Sequence, residues 1–399
     1  MISLFSGAGG LDRGLSEADF DVRLCVEIDK DARKTLFLNN PKANFSEPSD
    51  IHELTPCEVL KQAGLQTGEL DLLAGGPPCQ PFSKSGYWVT GDTNRLTDPR
   101  AKTLKAYLDL VRHALPKVIL LENVKGIAFK KKNEGLNLLI DELSLINKEH
   151  DTAYRPEIVN INAADYGVPQ LRERVFIVAS RDGTKFSMPP PTHGPNSLSG
   201  DPYVSAWDAI GDLDTDDWDS ELALSGKWAE LLPSIPEGYN YLWHTERLGG
   251  KPIFGWRSRF WSFLLKLSKD KPSWTIQAQP GPATGPFHWK NRNLSQRELA
   301  RLQTFPDDFN FSGSKRAIQK QIGNAVPPAI GELFGLEIRR QFFREDVREK
   351  LLLLPVKEKG VVPREEIYTD VPPQYESLYG KHQAHPGVGK GPSAITRNL

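Results

Sequence analysis

Short apolar segments alternate with stretches of helical periodicity over about the first 180 residues of the chain. Between two of these segments, apolar residues recur at helical spacing from Leu104 to Leu115, so one face of that stretch is predicted to be buried. This alternation is typical of an α/β fold in which a doubly wound, mostly parallel sheet carries helices on both faces. The predicted strands are Ile2–Phe5, Arg23–Ile28, Leu70–Ala74, Val118–Glu122, Glu157–Ile161 and Val175–Ala179.

The last two predicted strands are joined through the tetrapeptide Tyr166-Gly167-Val168-Pro169. Parallel neighbours need a crossover of a dozen or more residues, and this connection is too short for a helical one. One of the two strands is therefore expected to run antiparallel.

The residue pattern of the chain changes after Arg181, where Pro189-Pro190-Pro191 and an acidic run from Asp212 to Asp219 appear. We place a domain boundary there, because the following stretch is turn-rich and lacks periodicity, as in recognition modules built from loops. Helical patterning resumes at 295–303 and 328–343. The predicted organisation is a catalytic domain over 1–182 completed by about 310–354, a second domain over 183–309, and a flexible or loosely docked tail over 355–399.

Whole-chain composition excludes several classes of protein. The three cysteines, Cys25, Cys57 and Cys79, are too few and too widely spaced for a disulfide framework or a metal knot, so we expect a reducing compartment and no metal. No apolar run approaches the roughly 18 residues that span a bilayer, and the chain opens without the charged start of a signal peptide. The expected location is the cytoplasm.

A formal net charge of −1 does not indicate a nucleic-acid partner, so such a partner must rest on a local patch. One candidate lies between Tyr241 and Arg292, where basic residues are interleaved with five tryptophans. Such a stretch can contact phosphates and bases, and it is equally consistent with a solvated cationic face over a small tryptophan core. The basic residues are Arg247, Lys251, Arg257, Arg259, Lys266, Lys269, Lys271, Lys290 and Arg292.

A glycine-rich turn, Phe5-Ser6-Gly7-Ala8-Gly9-Gly10-Leu11, directly follows the first predicted strand and precedes a helix. Glycines at this point let the backbone approach a ligand, and an acidic residue about 20 positions later is suited to ribose hydroxyls. Glu27, which closes the second strand, fits that position. A tight turn without a ligand is the alternative, and the glycines alone do not identify the cofactor.

Cys79 lies in a loop that contains three prolines, Gly76-Pro77-Pro78-Cys79-Gln80-Pro81-Phe82-Ser83, after the third predicted strand. Because proline fixes φ, the thiol is expected to be held in one direction at the carboxyl edge of the sheet, where ligands bind in such folds. A lone cysteine is more often a buried, inert thiol, but such a thiol rarely lies in a glycine-proline loop. The pattern favours a nucleophile.

Two further signals are weak when each is taken alone. Glu122 ends an apolar strand at the same sheet edge, where a carboxyl group is placed to share a proton or to cap the next helix. Arg172 and Arg174 alternate along the start of a strand, so both are expected on one face, available to a phosphate or a base carbonyl.

Taken together and in this order, these blocks resemble the DNA cytosine-5 methyltransferases, especially the bacterial modification enzymes of restriction-modification systems. The resemblance covers 1–182 and 272–345. Its most specific pieces are Pro77-Cys79-Gln80 and Gln321-Ile322-Gly323-Asn324-Ala325-Val326-Pro327-Pro328. It implies a Rossmann-like S-adenosylmethionine-dependent methyltransferase fold with a smaller, irregular target-recognition domain, which the second domain matches.

The resemblance also implies a reaction. Cys79 would attack carbon 6 of a cytosine flipped out of duplex DNA, Glu122 would contact the ring edge, and Arg174 with Arg172 would support the flipped nucleotide. The implied cofactor is S-adenosyl-L-methionine. The implied cofactor contacts are Phe5, Gly7, Gly9, Gly10, Leu11, Glu27, Ile28, Asp50, Ile51, Pro77, Leu104, Asn324 and Val326. At Ile28 many relatives carry an aromatic residue, so weaker stacking on adenine is expected.

The resemblance further assigns Gln80, Ser83, Arg257 and Arg259 to DNA contacts, the arginines as candidates for reading guanine. We expect a monomer that acts on double-stranded DNA, with no membrane partner and with a cognate restriction endonuclease as a functional counterpart. Two rival functions are transfer RNA methylation and a catalytically idle DNA-binding role. The transfer RNA branch carries a Cys-Phe-Thr piece in its recognition region, whereas this chain has no cysteine after Cys79. The intact Cys79, Glu122 and Arg174 set argues against an idle protein.

Overall fold

The computed structural model describes residues 1–77, 101–123, 134–255, 260–355 and 361–380. Its centre is a sheet of six strands in the order β2-β1-β3-β4-β7-β5. All neighbours from β2 to β4 are parallel, and β7 is antiparallel to both β4 and β5. The predicted antiparallel strand is thus confirmed. The strands are β1 (Ile2–Leu4), β2 (Leu24–Val26), β3 (Leu72–Gly75), β4 (Val118–Asn123), β5 (Glu157–Asn162), β6 (Gln170–Leu171), β7 (Glu173–Ser180) and β8 (Ser273–Trp274), of which β6 and β8 form a separate parallel pair.

Successive side chains of the central strands enter two different hydrophobic cores. In β4, Val118 and Leu120 belong to one core, whereas Ile119 and Leu121 belong to the other. A strand that is buried on both faces reads as a continuous apolar run, as β4 does in the sequence. Helices therefore cover both faces, which confirms the predicted doubly wound α/β class.

The helices of the first half lie between the strands as the sequence pattern predicts. They are α1 (Gly10–Glu17), α2 (Lys30–Asn39), α3 (Pro56–Ala63), α4 (Ala101–Ala114) and α5 (Glu134–His150). In the second half the described helices are α6 (Ala206–Ile210), α7 (Gln296–Leu302), α8 (Lys315–Asn324), α9 (Pro328–Ile338) and α10 (Pro373–Glu376), and Arg339–Phe343 continues α9 as a wider turn. No helix in the described part of the chain is long and apolar enough to cross a membrane.

Helix α9 returns the C-terminal part of the chain to the first strand. Every residue of this helix is buried, and it packs against α1 on one face of the sheet. The contact is close because Gly14 of α1 lies against it; a Cβ on Gly14 would stand 2.1 Å from the Pro328 carbonyl oxygen. The chain segment before α9 is thereby held beside the glycine-rich turn.

The second region is built from one-turn helices and irregular backbone around its own core. Leu231, Ile235, Tyr241 and Leu264 are buried there, and Trp228 packs against them. This agrees with the predicted turn-rich texture after Arg181.

The described part of the tail, 361–380, contacts the second region through a few side chains, while most of its residues are exposed. Val371 and Tyr375 are buried in the core of that region, and the Tyr375 ring stacks on Trp228 at 5.7 Å between centroids. The absence of periodicity in this segment reflects docking through isolated side chains rather than through a regular helix face.

Candidate active site

One cavity of about 630 Å³ opens at the carboxyl ends of β1 to β4. This is the edge at which doubly wound folds bind their ligands. Among the described residues, its wall combines the glycine-rich turn, the end of β2, the start of the loop after β3, the end of β4 and the segment before α9. The principal blocks predicted from separate parts of the sequence therefore meet at one place.

The glycine-rich turn adopts backbone conformations that side chains disfavour. Gly7 has φ of 55° and Gly9 has φ of 80°, and Gly9 is the residue that precedes α1. Gly10 has a different reason to be glycine, because a Cβ there would stand 2.3 Å from the Val326 carbonyl oxygen. The turn is thus shaped both for close approach of a ligand and for close approach of the C-terminal segment.

Glu27 fixes the turn from the neighbouring strand. Its two carboxylate oxygens accept hydrogen bonds from the backbone N–H groups of Gly7 (2.7 Å) and Asp29 (2.8 Å). Burial raises the pKa of Glu27, and the two backbone hydrogen bonds oppose that rise. An acidic side chain is therefore held in a set orientation in the cavity wall.

Most of the predicted cofactor contacts line this cavity, and two do not. Gly9 lines a second cavity behind the turn, and Leu104 is buried in the core beneath, so that its neighbour Thr103 faces the cavity instead. Ile28 is 61% exposed at the rim. The predicted residues that line the cavity are Phe5, Gly7, Gly10, Leu11, Glu27, Ile28, Asp50, Ile51, Pro77, Asn324 and Val326.

Glu122 and Arg174 form an ion pair in the same wall. The Arg174 Nε lies 2.9 Å from the Glu122 Oε1, and both side chains are less than 15% exposed. The antiparallel pairing of β4 with β7 brings the two together, since Glu122 is opposite Phe176 in the register. Burial raises the pKa of Glu122, and the charges of Arg174 and Arg172 oppose this.

Arg172 is placed differently from Arg174. It is fully buried, and its guanidinium group donates to the backbone carbonyls of Gly323 (2.7 Å) and Ala325 (2.8 Å). Alternation along the strand predicts that both arginines lie on one face and are available to a ligand. In the structure, Arg172 instead binds the segment that contains Asn324. It supports the cavity wall from behind.

Several residues that sequence reasoning missed complete the cavity. Lys320 lines it and pairs with Asp29 at 2.6 Å, and Gln303 holds the segment before α9 through the Ile322 carbonyl. Asp12 lines the cavity as a buried carboxyl group. In the sequence Asp12 is an ordinary acidic residue in the first turn of a helix, so its type and position alone do not single it out.

The proposed nucleophile Cys79 lies outside the described residues, together with the predicted DNA contacts Gln80, Ser83, Arg257 and Arg259. The nearest described residue on the N-terminal side is Pro77, which lines the cavity. Its carbonyl accepts a hydrogen bond from the Asn123 side chain at 3.4 Å. No group of His, Cys, Asp or Glu side chains suited to a metal ion occurs among the residues that the structure describes.

The family model for the C-5 cytosine-specific DNA methylases matches residues 1–340. The chain belongs to this family. The methylase is 41% identical over 362 residues to the type II methyltransferase M.SacI of Streptomyces achromogenes, covering 84% of this chain and 90% of that protein. It is 33% identical to the type II methyltransferase M.NgoFVII of Neisseria gonorrhoeae, with 82% and 83% covered.

Solved structures agree with the fold of the methylase. A crystal structure described as a DNA modification methyltransferase of an E. coli prophage superposes with a TM-score of 0.60 at 26% identity, covering 86% of this chain and 99% of that one. The DNMT2 of Spodoptera frugiperda gives a TM-score of 0.57 at 19% identity, with 86% and 99% covered, and supports the fold alone. The predicted family and the cytosine-5 methyltransferase class are confirmed.

Proposed function

We propose that this methylase transfers a methyl group from S-adenosyl-L-methionine to carbon 5 of a cytosine in duplex DNA, through a covalent bond from Cys79 to carbon 6. The observation that supports this most strongly is that the glycine-rich turn, Glu122 and Pro77 share one cavity. A pocket suited to an adenosine derivative thus adjoins a carboxyl group suited to a pyrimidine. Cys79 follows the wall residue Pro77 by two positions in the sequence.

The residues of the cavity fit this cofactor. Its volume is within the range of roughly 300–1,000 Å³ that is usual for small-molecule sites. Glu27 would hold the ribose hydroxyls, because its carboxylate is already oriented by two backbone donors. Ile28, Asp50 and Ile51 would enclose the adenine, and the turn around Gly7 would lie along the rest of the molecule. When bound, S-adenosylmethionine supplies the methyl group.

Cys79 and Glu122 would act on different atoms of the target base. The thiolate of Cys79 adds to carbon 6, and the π electrons of the carbon 5–carbon 6 bond shift toward carbon 5 and nitrogen 3. Glu122 is assigned to nitrogen 3 and the amino group, where a carboxyl group whose pKa is raised by burial can donate a hydrogen bond. Loss of the carbon 5 proton later expels the thiolate and restores the aromatic ring.

Arg174 would orient Glu122 throughout this reaction. Its guanidinium group is bound to one carboxyl oxygen, Oε1, which leaves Oε2 for the base. A Cβ on Gly76 would stand 3.2 Å from that second oxygen, so glycine at this position keeps the approach to it open. The target ring is out of reach within a stacked duplex, so it must be extruded into the cavity at a cost of a few kcal/mol.

A second concave surface supports duplex binding next to this site. We call it the aromatic groove; it has a volume of about 650 Å³ and exposes Trp261 (48%) and Tyr239 (43%). Arg247 and Lys271 provide positive charge at its wall. Aromatic faces stack on bases, and basic groups attract phosphates. The wall residues are Gly238, Tyr239, Asn240, Leu242, Arg247, Leu248, Trp261, Leu267, Ser268, Lys271, Pro272 and Trp274.

The β6–β8 pairing links the aromatic groove to the catalytic carboxyl group. Trp274 is in register with Leu171, and Arg174 follows Leu171 by three residues. At about 3.3 Å per residue of extended chain, Leu171, which pairs with the groove residue Trp274, lies within roughly 10 Å of the arginine that pairs with Glu122. Bases next to an extruded cytosine would fall within this reach.

We further propose that the methylation protects host DNA against a cognate restriction endonuclease. Its support is that both curated relatives named above are type II methyltransferases. The proposed substrate is duplex DNA rather than transfer RNA, because the sequence has no cysteine after Cys79.

Transfer of labelled methyl groups tests the proposed function. The chain should label duplex DNA and leave transfer RNA unlabelled, and bisulfite sequencing should place the label at cytosines within one short sequence. The Cys79→Ala variant should lose transfer, while Cys57→Ala, which changes an exposed thiol on α3, should retain it. Preferential labelling of transfer RNA would contradict the proposed substrate, and full activity of the Cys79→Ala variant would contradict the proposed nucleophile.

A further inference from the structure

The carboxyl groups in the wall of the cofactor cavity are not equivalent. Among the described residues there are five, namely Asp12, Glu27, Asp29, Asp50 and Glu122. Glu27 and Asp50 accept hydrogen bonds from backbone N–H groups. Asp29 is paired with Lys320, and Glu122 is paired with Arg174. Four of the five negative charges therefore have either a cation or a backbone donor.

Asp12 has neither. Its side chain is 5% exposed, its Oδ1 accepts from the Ser3 hydroxyl at 2.6 Å, and its Oδ2 lies 4.0 Å from the Cys25 sulfur. The Ser3 hydroxyl is in turn 2.8 Å from the hydroxyl of Ser6 in the glycine-rich turn. Within the part of the chain that the structure describes, no ion pair reaches Asp12. Its direct partners are all neutral groups.

The charge of Asp12 is present at neutral pH. The pKa of Asp12 is raised to about 6, chiefly by burial. Hydrogen bonds from the Ser3 and Ser6 hydroxyls lower this pKa, and the nearby Glu27 carboxylate raises it. The Met1 ammonium is the cation that also acts on it, with a smaller effect than these groups. The neighbouring Cys25 thiol stays neutral, because burial and Asp12 raise its pKa far above the usual value. Above about pH 7 the cavity wall thus contains one buried carboxylate that has no ion-pair partner among the described residues.

A buried charge without a partner is costly, so such a group in a ligand cavity is best explained by a cation that the ligand brings. We infer that Asp12 is a specificity-determining residue which favours the sulfonium form of the cofactor over its neutral thioether product, S-adenosylhomocysteine. The inference rests on the proposed function, since it requires that this cavity binds S-adenosylmethionine.

The physical consequence is a difference between substrate and product. The two molecules share the adenosine and amino acid parts, and only the methylated form carries a positive sulfur. A buried carboxylate attracts that sulfur through a medium of low effective dielectric constant, and it loses this attraction once the methyl group has left. Asp12 therefore strengthens cofactor binding and weakens product retention, without contact with the reacting base.

Calorimetric affinities for the two ligands, measured on the full chain at pH 8, test this inference. The Asp12→Asn variant keeps the shape and one acceptor oxygen but removes the charge. The ratio of the S-adenosylmethionine affinity to the S-adenosylhomocysteine affinity should fall roughly tenfold in this variant, as expected for the loss of one charge at several ångströms. Sinefungin, an analogue with an amine in place of the methylated sulfur, should weaken together with S-adenosylmethionine.

Asp29→Asn is the matched control. It removes the same charge from the same wall, but Asp29 is 34% exposed and faces Lys320, so solvent screens it. Asparagine also serves as well as aspartate at the start of α2. The affinity ratio in Asp29→Asn should stay within about twofold of the wild-type ratio.

A measurement on the wild-type chain covers the case in which Asp12→Asn does not fold. Binding of S-adenosylmethionine near pH 6 should release a proton, seen as a binding enthalpy that depends on the buffer, and binding of S-adenosylhomocysteine should release less. An unchanged affinity ratio in a folded Asp12→Asn variant, or an equal loss for both ligands, would overturn the inference and leave the proposed function standing. Failure of the wild-type chain to bind either ligand would contradict the proposed function instead.

Discussion

The second region and the cavity at the sheet edge bury charged groups in different ways. In the second region, the buried Lys269 lies 2.6 Å from the buried Glu237 and 3.1 Å from Glu366 of the tail. In the cavity, the buried Asp12 has only neutral hydrogen-bonding partners among the described residues. The charge of Lys269 is thus paired within the protein, whereas Asp12 has no ion-pair partner among the described residues, and a cationic ligand can supply one.

This difference separates buried charges that stabilise the protein from those that prepare a site. A buried ion pair in which one partner is removed destabilises a protein strongly, because the other charge remains without compensation. A single buried carboxylate already exists in that uncompensated state. Neutralising Glu237 in the second region should therefore lower stability, whereas neutralising Asp12 in the cavity should raise it. Neutralising Glu122, which pairs with Arg174, should act mainly on activity.

The largest effect is expected for Glu122→Gln, which breaks the charged pair of the active site. Methyl transfer should fall by roughly 100-fold to 10,000-fold, because the glutamine cannot share a proton with the base. The affinity for S-adenosylmethionine should change little. Single-turnover kinetics on duplex DNA, together with calorimetry for the cofactor, check this, with Glu142→Gln as the control because Glu142 pairs with Arg112 outside the cavity. Normal turnover by Glu122→Gln would contradict the assignment.

The next effect concerns the stability of the second region. Among the described residues, Glu237→Gln leaves Lys269 with Glu366 as its one remaining acidic partner, and Glu366 is 43% exposed. The free energy of unfolding should fall by about 3 kcal/mol, as for other broken buried pairs. Urea denaturation measures it. Glu366→Gln should cost less than Glu237→Gln, and the reverse order would show that the tail rather than the buried pair dominates.

An effect of opposite sign, at most equal in size, is expected for Asp12→Asn in the absence of ligand. The unfolded carboxyl has a pKa near 3.8 and the folded one about 6, so the folded state binds the proton more tightly. The wild-type chain should therefore lose stability as the pH rises from about 4 to 6, by up to about 3 kcal/mol. The asparagine variant should lack this loss and exceed the wild type in stability at pH 8. Denaturation curves at pH 5 and pH 8 check both statements.

The smallest effect is expected in the aromatic groove. Trp261→Ala should weaken duplex binding by roughly tenfold, because stacking of an aromatic side chain on a base contributes about 1–3 kcal/mol. The affinity for S-adenosylmethionine should stay unchanged, which separates the two regions. Fluorescence anisotropy with labelled duplex measures the binding. Tyr379→Ala is the control, since Tyr379 is 59% exposed and lies outside the groove.

The sheet and the main elements of the candidate site were predictable because they depend on local patterns. Apolar runs identify strands that are buried on both faces, and glycines mark the turn at Gly7. The resemblance to a known family added the proposed role of Glu122, which its position at a strand end leaves open. Its pairing with Arg174 then follows from the register of β4 and β7.

Other features were not predictable because they depend on contacts between distant parts of the chain. The partners of Arg172 are carbonyls about 150 residues later, so alternation along the strand gives no sign of them. The docking of Tyr375 rests on one ring against Trp228 rather than on a periodic face. Asp12 reads in the sequence as an ordinary acidic residue in the first turn of a helix, and only its burial and its neutral partners distinguish it.

The central claim is that Cys79 forms a covalent bond to the target base beside Glu122. A duplex that carries 5-fluorocytosine at the methylated position should trap the wild-type chain when S-adenosylmethionine is present, because fluorine at carbon 5 cannot leave as a proton does. We predict an adduct stable to denaturation whose peptide mass places the nucleotide on Cys79, and no adduct with Cys79→Ala. An adduct of equal yield in Cys79→Ala, or one that maps to another residue, would contradict the account.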